Sequence, residues 1–414
     1  MSNFENRLNP VHKYIELIEK YVLIAFLSSI VIYNFASYMR IGPFPPAQYI
    51  IALFSIYSFF MLALSKERYS KKVILLLLAQ PILTTLLVVI DLSLGRFNFS
   101  LDLVKALIKF FPLALLSFYV SKNYCSEKIM KCWVLTVFVS ALFAIFQKIG
   151  IGSAIQIRDF IGVTLYPTGY RPPGLHYYSL TLSYALTVAI PFCQYLITKS
   201  SKKKSLSFIQ ACLTVAVVIT QSRVSMLGVF LFFFIYYFKF NKKNILITLF
   251  ILITIFTITQ TSFFKKQFPI TFLHFEDRFF IYKTALLISS KNWIYGIGSG
   301  IIHYSSYVTE LYGENNPNVP EYVYKMSPHS HPISVLLKTG IIGLIFYFFC
   351  LFNFIKLVLT ITDKKLRIII LITFLNLLLT SLTHNAGFLN HFIFVYFLYI
   401  SLGITQKDGG KTCV

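Results

Sequence analysis

Apolar runs of roughly twenty residues recur along the whole chain, and each has the length an α-helix needs to cross about 30 Å of hydrocarbon. No other feature restricts the possible folds more. About twelve such runs are present, near 21–38, 48–64, 73–92, 103–120, 130–149, 177–197, 206–220, 224–238, 244–261, 332–354, 368–382 and 388–402. The expectation is an all-α polytopic membrane protein in which residues 1–414 form a single transmembrane domain.

Composition excludes an ordinary soluble enzyme. Of 414 residues 57% are hydrophobic, 17% aromatic and only 13% charged, and the mean hydropathy is +0.71. Basic residues then orient the spans. Even-numbered connections carry Lys66, Arg68, Lys71 and Lys72; Lys122, Lys128 and Lys131; Lys199, Lys202, Lys203 and Lys204; Lys239, Lys242 and Lys243; and Lys356, Lys364, Lys365 and Arg367. Because positive loops stay in the cytoplasm, both termini are expected there and the long odd-numbered loops outside. The net charge of +23 follows from this topology and from attraction to anionic membrane lipids, so no nucleic-acid partner is needed. The first apolar run is long enough to remain as a signal anchor. All six cysteines fall in spans or on the cytoplasmic side, which argues against disulfides and cysteine metal sites.

Two outward-facing segments are long enough to carry chemistry, 150–176 and 262–331. The second contains "EDRFFIYKTALLISSKNWIYGIGSG", with apolar residues at helical spacing before a glycine-rich turn, and reads as a small helical cap. Its aromatics, Trp293, Tyr295, Tyr304, Tyr322 and Tyr324, read as the cap's own core or an interfacial belt before they read as sugar-stacking platforms.

Cations gather on the outward side, where ionisable residues carry a functional expectation. Arg171 in "YRPPGL" is held by two prolines, and Arg278 opens the cap helix beside Glu276 and Asp277. Lys105 and Lys109 are one turn apart near the outer end of the fourth span, and Arg223 stands at a tight hairpin. Lipid-linked phosphate is the anion such a set would meet; snorkelling, capping and local ion pairing are the simpler readings of each residue. His329 in "SPHSHPISVLLKTGIIGL" precedes the tenth span, bracketed by Pro328 and Pro332, and histidine is the side chain best suited to accept a proton near neutral pH. A metal site at His329 and His331 is not expected, because neighbours two apart point away from each other in an extended chain.

"TQSRVSMLG", "RFFIYKTALLISSKNWIYGIGSG" and "PHSHPISVLLKTGIIGL" resemble, in that order, the three signatures of the O-antigen ligase and polymerase superfamily of bacterial envelope glycosyltransferases. The last is similar to that family's pattern of His, a small polar residue, nine residues, Gly, two residues and Gly, here His329, Ser330, Gly340 and Gly343. Lys338 stands where members often carry an acidic or neutral residue.

The resemblance implies a GT-C-like fold with a large periplasmic helical loop between helices nine and ten, in the bacterial inner membrane. It implies a donor glycan on undecaprenyl pyrophosphate and no cofactor or obligatory metal. Arg171 and Arg278 would hold the pyrophosphate, with Arg223, Lys105 and Lys109 in support, and His329 would act on the acceptor hydroxyl, with the adjacent His331 an alternative base. Displacement from behind would invert the anomeric centre. Gly340 and Gly343 would let the tenth span pack closely on a neighbour. A ligase would transfer to lipid A-core and a polymerase to a second lipid-linked repeat unit; the ligase is the leading expectation because only one outer loop is large. A non-catalytic transporter of lipid-linked sugars would instead show internal repeats, Gly- or Pro-broken spans in matching positions of two halves and midplane charges, and neither a repeat nor midplane charges stand out.

Overall fold

The computed structural model describes residues 71–93, 126–160, 171–237, 274–298, 301–325 and 328–383, apart from 177, 315 and 318, together with part of 397–405. The expected spans near 21–38, 48–64, 103–120 and 244–261 and most of 388–402 lie outside these residues, as do Lys105 and Lys109. Among the described residues all regular structure is helical: α1 (Lys71–Ser93), α2 (Ser126–Ile149), α3 (Gly152–Phe160), α4 (Ser179–Lys199), α5 (Lys203–Ile219), α6 (Arg223–Tyr237), α7 (His274–Lys291), α8 (Ile301–Tyr312), α9 (Glu321–Lys325), α10 (His331–Val358) and α11 (Lys364–Thr383). Four of them, α2, α4, α10 and α11, are long and apolar enough to cross a membrane.

The long bundle helices are largely apolar on all sides, and most polar groups between their ends point inward. On α2 the buried face is Met130, Trp133, Val137, Ser140, Ala144 and Gln147, at helical spacing, while Leu135, Val139 and Phe146 on the other side are exposed. A helix in water would be arranged the other way round; one in lipid keeps hydroxyls and amides for its partners. At the centre stands α4, buried throughout 181–196, with α2, α5, α6 and α11 packed around it. Trp133 meets Phe192 edge to face, with centroids 6.0 Å apart. Phe354 of α10 meets Phe374 of α11 at 4.5 Å.

At one end of the bundle lysines collect: Lys128 and Lys131 on α2, Lys199 closing α4, Lys203 opening α5, and Lys364 opening α11. A polar lock ties two of these helices there. Asp363 accepts from the Lys365 and Leu366 amides at 2.9 and 3.2 Å, which caps α11. Its other oxygen accepts from the Tyr195 hydroxyl at 3.0 Å and lies 3.2 Å from Lys199 Nζ, on α4.

Helices α7, α8 and α9 enclose a second, smaller core of Ile281, Ala285, Ile288, Ile297, Tyr304, Val308, Val319 and Val323. Leu337 of α10 belongs to this core, whereas Val335 and Tyr347 belong to the bundle core. The start of α10 therefore joins the two bodies.

Candidate functional site

The expected tenth span is not one straight helix. Gly340 adopts φ 63° and ψ −161° in the middle of α10, a region open essentially to glycine alone. Sixteen residues of uninterrupted helix would separate His331 from Tyr347 by about 24 Å, yet their rings stand edge to face with centroids 5.3 Å apart. The helix folds back on itself, and segments 331–339 and 341–358 are two arms of a hairpin whose tip is Gly340.

Breaking a helix orphans the last carbonyls of one arm and the first amides of the next. The turn after α7 supplies partners to both sides. Ile297 and Gly298 donate their amides to the Leu337 and Lys338 carbonyls at 2.9 and 3.0 Å, and the Ile341 amide donates to the Trp293 carbonyl at 2.7 Å. A Cβ on Gly340 would run into the Ile294 backbone, and one on Gly296, itself at φ 74°, into the Lys338 backbone. This corrects the expectation from the glycine spacing: Gly340 serves a chain reversal that receives a loop, and the close neighbour of Gly343 is Thr339 across the fold. Lys338 at the tip faces the Asp91 carboxylate at the end of α1, and Asp91 Oδ1 rests against Gly298.

The hairpin positions the two histidines differently. Ser330 is the extended N-cap of α10, with φ −139°, and Pro332 sits in its first turn, where a fixed φ and a missing N–H suit a helix start. His331 is fully buried against Tyr347. His329 is half-buried, and its carbonyl accepts the Tyr282 hydroxyl of α7 at 3.1 Å. Arg278 lies one turn before Tyr282 on α7, so helical register places the two positions on one face; its side chain lies outside the described residues.

Arg171 stands at the head of "RPPGLH", a segment held by two side chains of α2. Gln147 donates to the Gly174 carbonyl at 2.9 Å and accepts the Gly174 amide at 3.0 Å. Ser140 Oγ accepts the Leu175 amide at 3.0 Å and pairs with His176 Nδ1 at 2.9 Å. A Cβ on Gly174 would strike the Ser140 carbonyl. So anchored, Arg171 stays exposed and its Nε donates to Gln221 Oε1 at 3.3 Å; partial burial lowers its pKa from the ordinary value. Gln221 occupies the α5–α6 hairpin at φ 53°, and Arg223 opens α6 two residues later. The structure thus brings Arg171 and Arg223 to one corner, at the end of α4 opposite Lys199, and brings the helix of Arg278 to His329. Among the described residues no three of His, Cys, Asp and Glu converge.

Gln147, Ser140, Gln221, Asp91 and Tyr282 do not stand out in the sequence as site residues. Gln147 and Asp91 carry a signal there, as polar residues near the ends of apolar runs.

A helical bundle whose long helices are apolar outside and carry their polar groups inward has the build of a membrane protein. Residues 208–348 match the family model for O-antigen ligase, about a third of the chain, and this match supports the O-antigen ligase family. The match takes in the hairpin of Arg223, the turn at 292–298 and the fold at Gly340. No curated protein matches the chain.

Proposed function

We propose that this chain is an O-antigen ligase of the bacterial inner membrane, transferring a polysaccharide from undecaprenyl pyrophosphate to a hydroxyl of lipid A-core. The observation that carries the reading is the reversal at Gly340, inside the segment that matches the ligase family. It presents the half-buried His329 beside α7 while burying His331.

A sugar hydroxyl is a poor nucleophile, and a placed imidazole that accepts its proton contributes about 100- to 10,000-fold. His329 takes that part. Pyrophosphate leaves once its developing charge is neutralised, which guanidinium groups do through paired hydrogen bonds. Arg171, Arg223 and Arg278 are assigned to it, with Lys105 and Lys109 in support. Attack from behind inverts the anomeric centre, and the chain's own cations make a metal unnecessary. Both termini lie in the cytoplasm, with 150–176 and 262–331 as periplasmic segments.

A polymerase would use the same donor chemistry on a second lipid-linked repeat unit. The broken helix α10 is a feature expected of a transporter, and Lys338 and Asp91 are charges beside it. Three of the backbone groups at its break, however, are bonded to the 293–298 loop, where a transporter's broken helix keeps such groups for its solute.

Complementation separates these readings. Restored O-antigen attachment in a ligase-deficient strain, lost with His329→Ala, supports the ligase; a chain-length ladder restored only in a polymerase-deficient strain makes it a polymerase. Full complementation by His329→Ala in either strain rules out the assigned chemistry.

A further inference from the structure

Helix α7 has two unlike faces. Ile281, Thr284, Ala285, Ile288 and Ser289 are buried in the cap. On the other side Phe279 is 66% exposed, and Lys283, Leu286, Leu287 and Lys291 are open with it. The turn that follows continues the patch with Trp293 at 58%, Ile294, and Tyr295 at 61% exposed. A contiguous apolar surface of this kind is out of place in water. Large apolar residues with Trp, Tyr and flanking lysines are what a helix lying in a membrane interface displays.

A separate observation fixes the height of the patch. The Trp293 carbonyl and the Ile297 and Gly298 amides are bonded to the two arms of α10 at its tip, and its longer arm, 341–358, is the apolar length that can cross a membrane. Just past the tip, Ile342 and Ile345 are exposed as lipid-facing residues would be. Trp293 and Tyr295 are therefore held close to the end of a membrane helix, and Leu287, Leu286 and Phe279 follow from there along α7 within about 20 Å.

We propose that the outer face of α7 and the 293–295 turn dock into the headgroup–acyl boundary of the bilayer, with Lys283 and Lys291 reaching anionic lipid headgroups. The occupant is the phospholipid leaflet itself. The docking seats the cap at the depth where a lipid-linked substrate carries its phosphates, but it rests only on the membrane location of the bundle and not on the transfer chemistry.

Two tryptophans are present, and Trp133 is fully buried, so the difference in emission between the wild-type chain and Trp293→Phe isolates Trp293. The full-length protein is reconstituted in vesicles of phosphatidylcholine and phosphatidylglycerol, with and without bromine on the acyl chains. An interfacial Trp293 is quenched at least about twofold by brominated lipid and little by aqueous acrylamide. Leu287→Trp in the Trp293→Phe background reads the same face from the helix and is expected to behave alike. Quenching by acrylamide alone would place the face in water, and quenching by neither would mean that protein covers it; either result overturns the proposal.

Discussion

His331 and Tyr347 lie sixteen positions apart on α10 and touch edge to face, with centroids 5.3 Å apart. Contact at that separation requires the chain to reverse between them, and the reversal falls at Gly340. The arm from 331 to 339 is thereby wedged between the bundle core and the cap core, and His329 is carried to its entrance. The geometry of the site depends on this one fold.

Gly340→Ala tests it. The φ of 63° strains any L-residue by about 1–3 kcal/mol, and the added methyl meets the Ile294 backbone. Gly313 is also at positive φ, 84°, but a methyl added there would find nothing within 4 Å, so Gly313→Ala isolates strain from collision. The expected order of melting temperatures is wild type, then Gly313→Ala, then Gly340→Ala, with transfer activity lost only in the last.

Lys338→Met and Asp91→Asn should each destabilise the protein modestly, because each leaves one half-buried charge facing a lost partner; a partly exposed pair contributes about 0.2–1 kcal/mol. The double variant should lose less than the sum of the two. A double-mutant cycle on thermal unfolding in a membrane mimic measures the coupling, and strict additivity would show that the two charges do not interact.

How much of this was legible in the sequence differs by element. The runs near 130–149, 177–197 and 368–382 appear as α2, α4 and α11 with ends shifted by a few residues, because an apolar run in lipid has few conformations that satisfy its backbone. The run at 332–354 misled for the same reason. Its hydropathy is unbroken, and nothing local marks Gly340 as a reversal; the partner that makes the reversal possible, the 293–298 loop, lies some forty residues upstream. His329 and His331 were indistinguishable by type and were separated only by burial. The corner of Arg171 and Gln221 joins residues fifty apart, a pairing no sequence period encodes.

Gln147→Leu should release the Arg171 segment. It removes both bonds to Gly174 and leaves that buried amide and carbonyl unsatisfied, at about 1–3 kcal/mol each. If Arg171 binds donor phosphate, KM for the lipid-linked glycan rises while kcat changes less, and Arg171→Ala reproduces the rise. An unchanged KM in both variants would remove Arg171 from the binding site.

The Asp363 lock predicts a pH dependence. Burial tends to raise the carboxyl's pKa, but the Leu366 amide, the Lys199 ammonium and the Tyr195 hydroxyl outweigh it and hold it below the ordinary carboxylate value. A depressed folded pKa contributes stability above the unfolded value of about 3.9 that is lost as pH falls through the folded one. Asp363→Ala should therefore cost about 1–2 kcal/mol at pH 7, chiefly as a lost helix cap. The gap in melting temperature between variant and wild type should close as the pH is lowered past about 4.

The central claim is that His329 is the base, and single-turnover transfer by the purified, lipid-reconstituted chain tests it most directly. His329→Ala and His329→Gln should lower the rate about 100- to 10,000-fold with the melting temperature and donor binding preserved. Rates within about threefold of wild type, far inside the span expected for loss of a general base, would contradict the assignment.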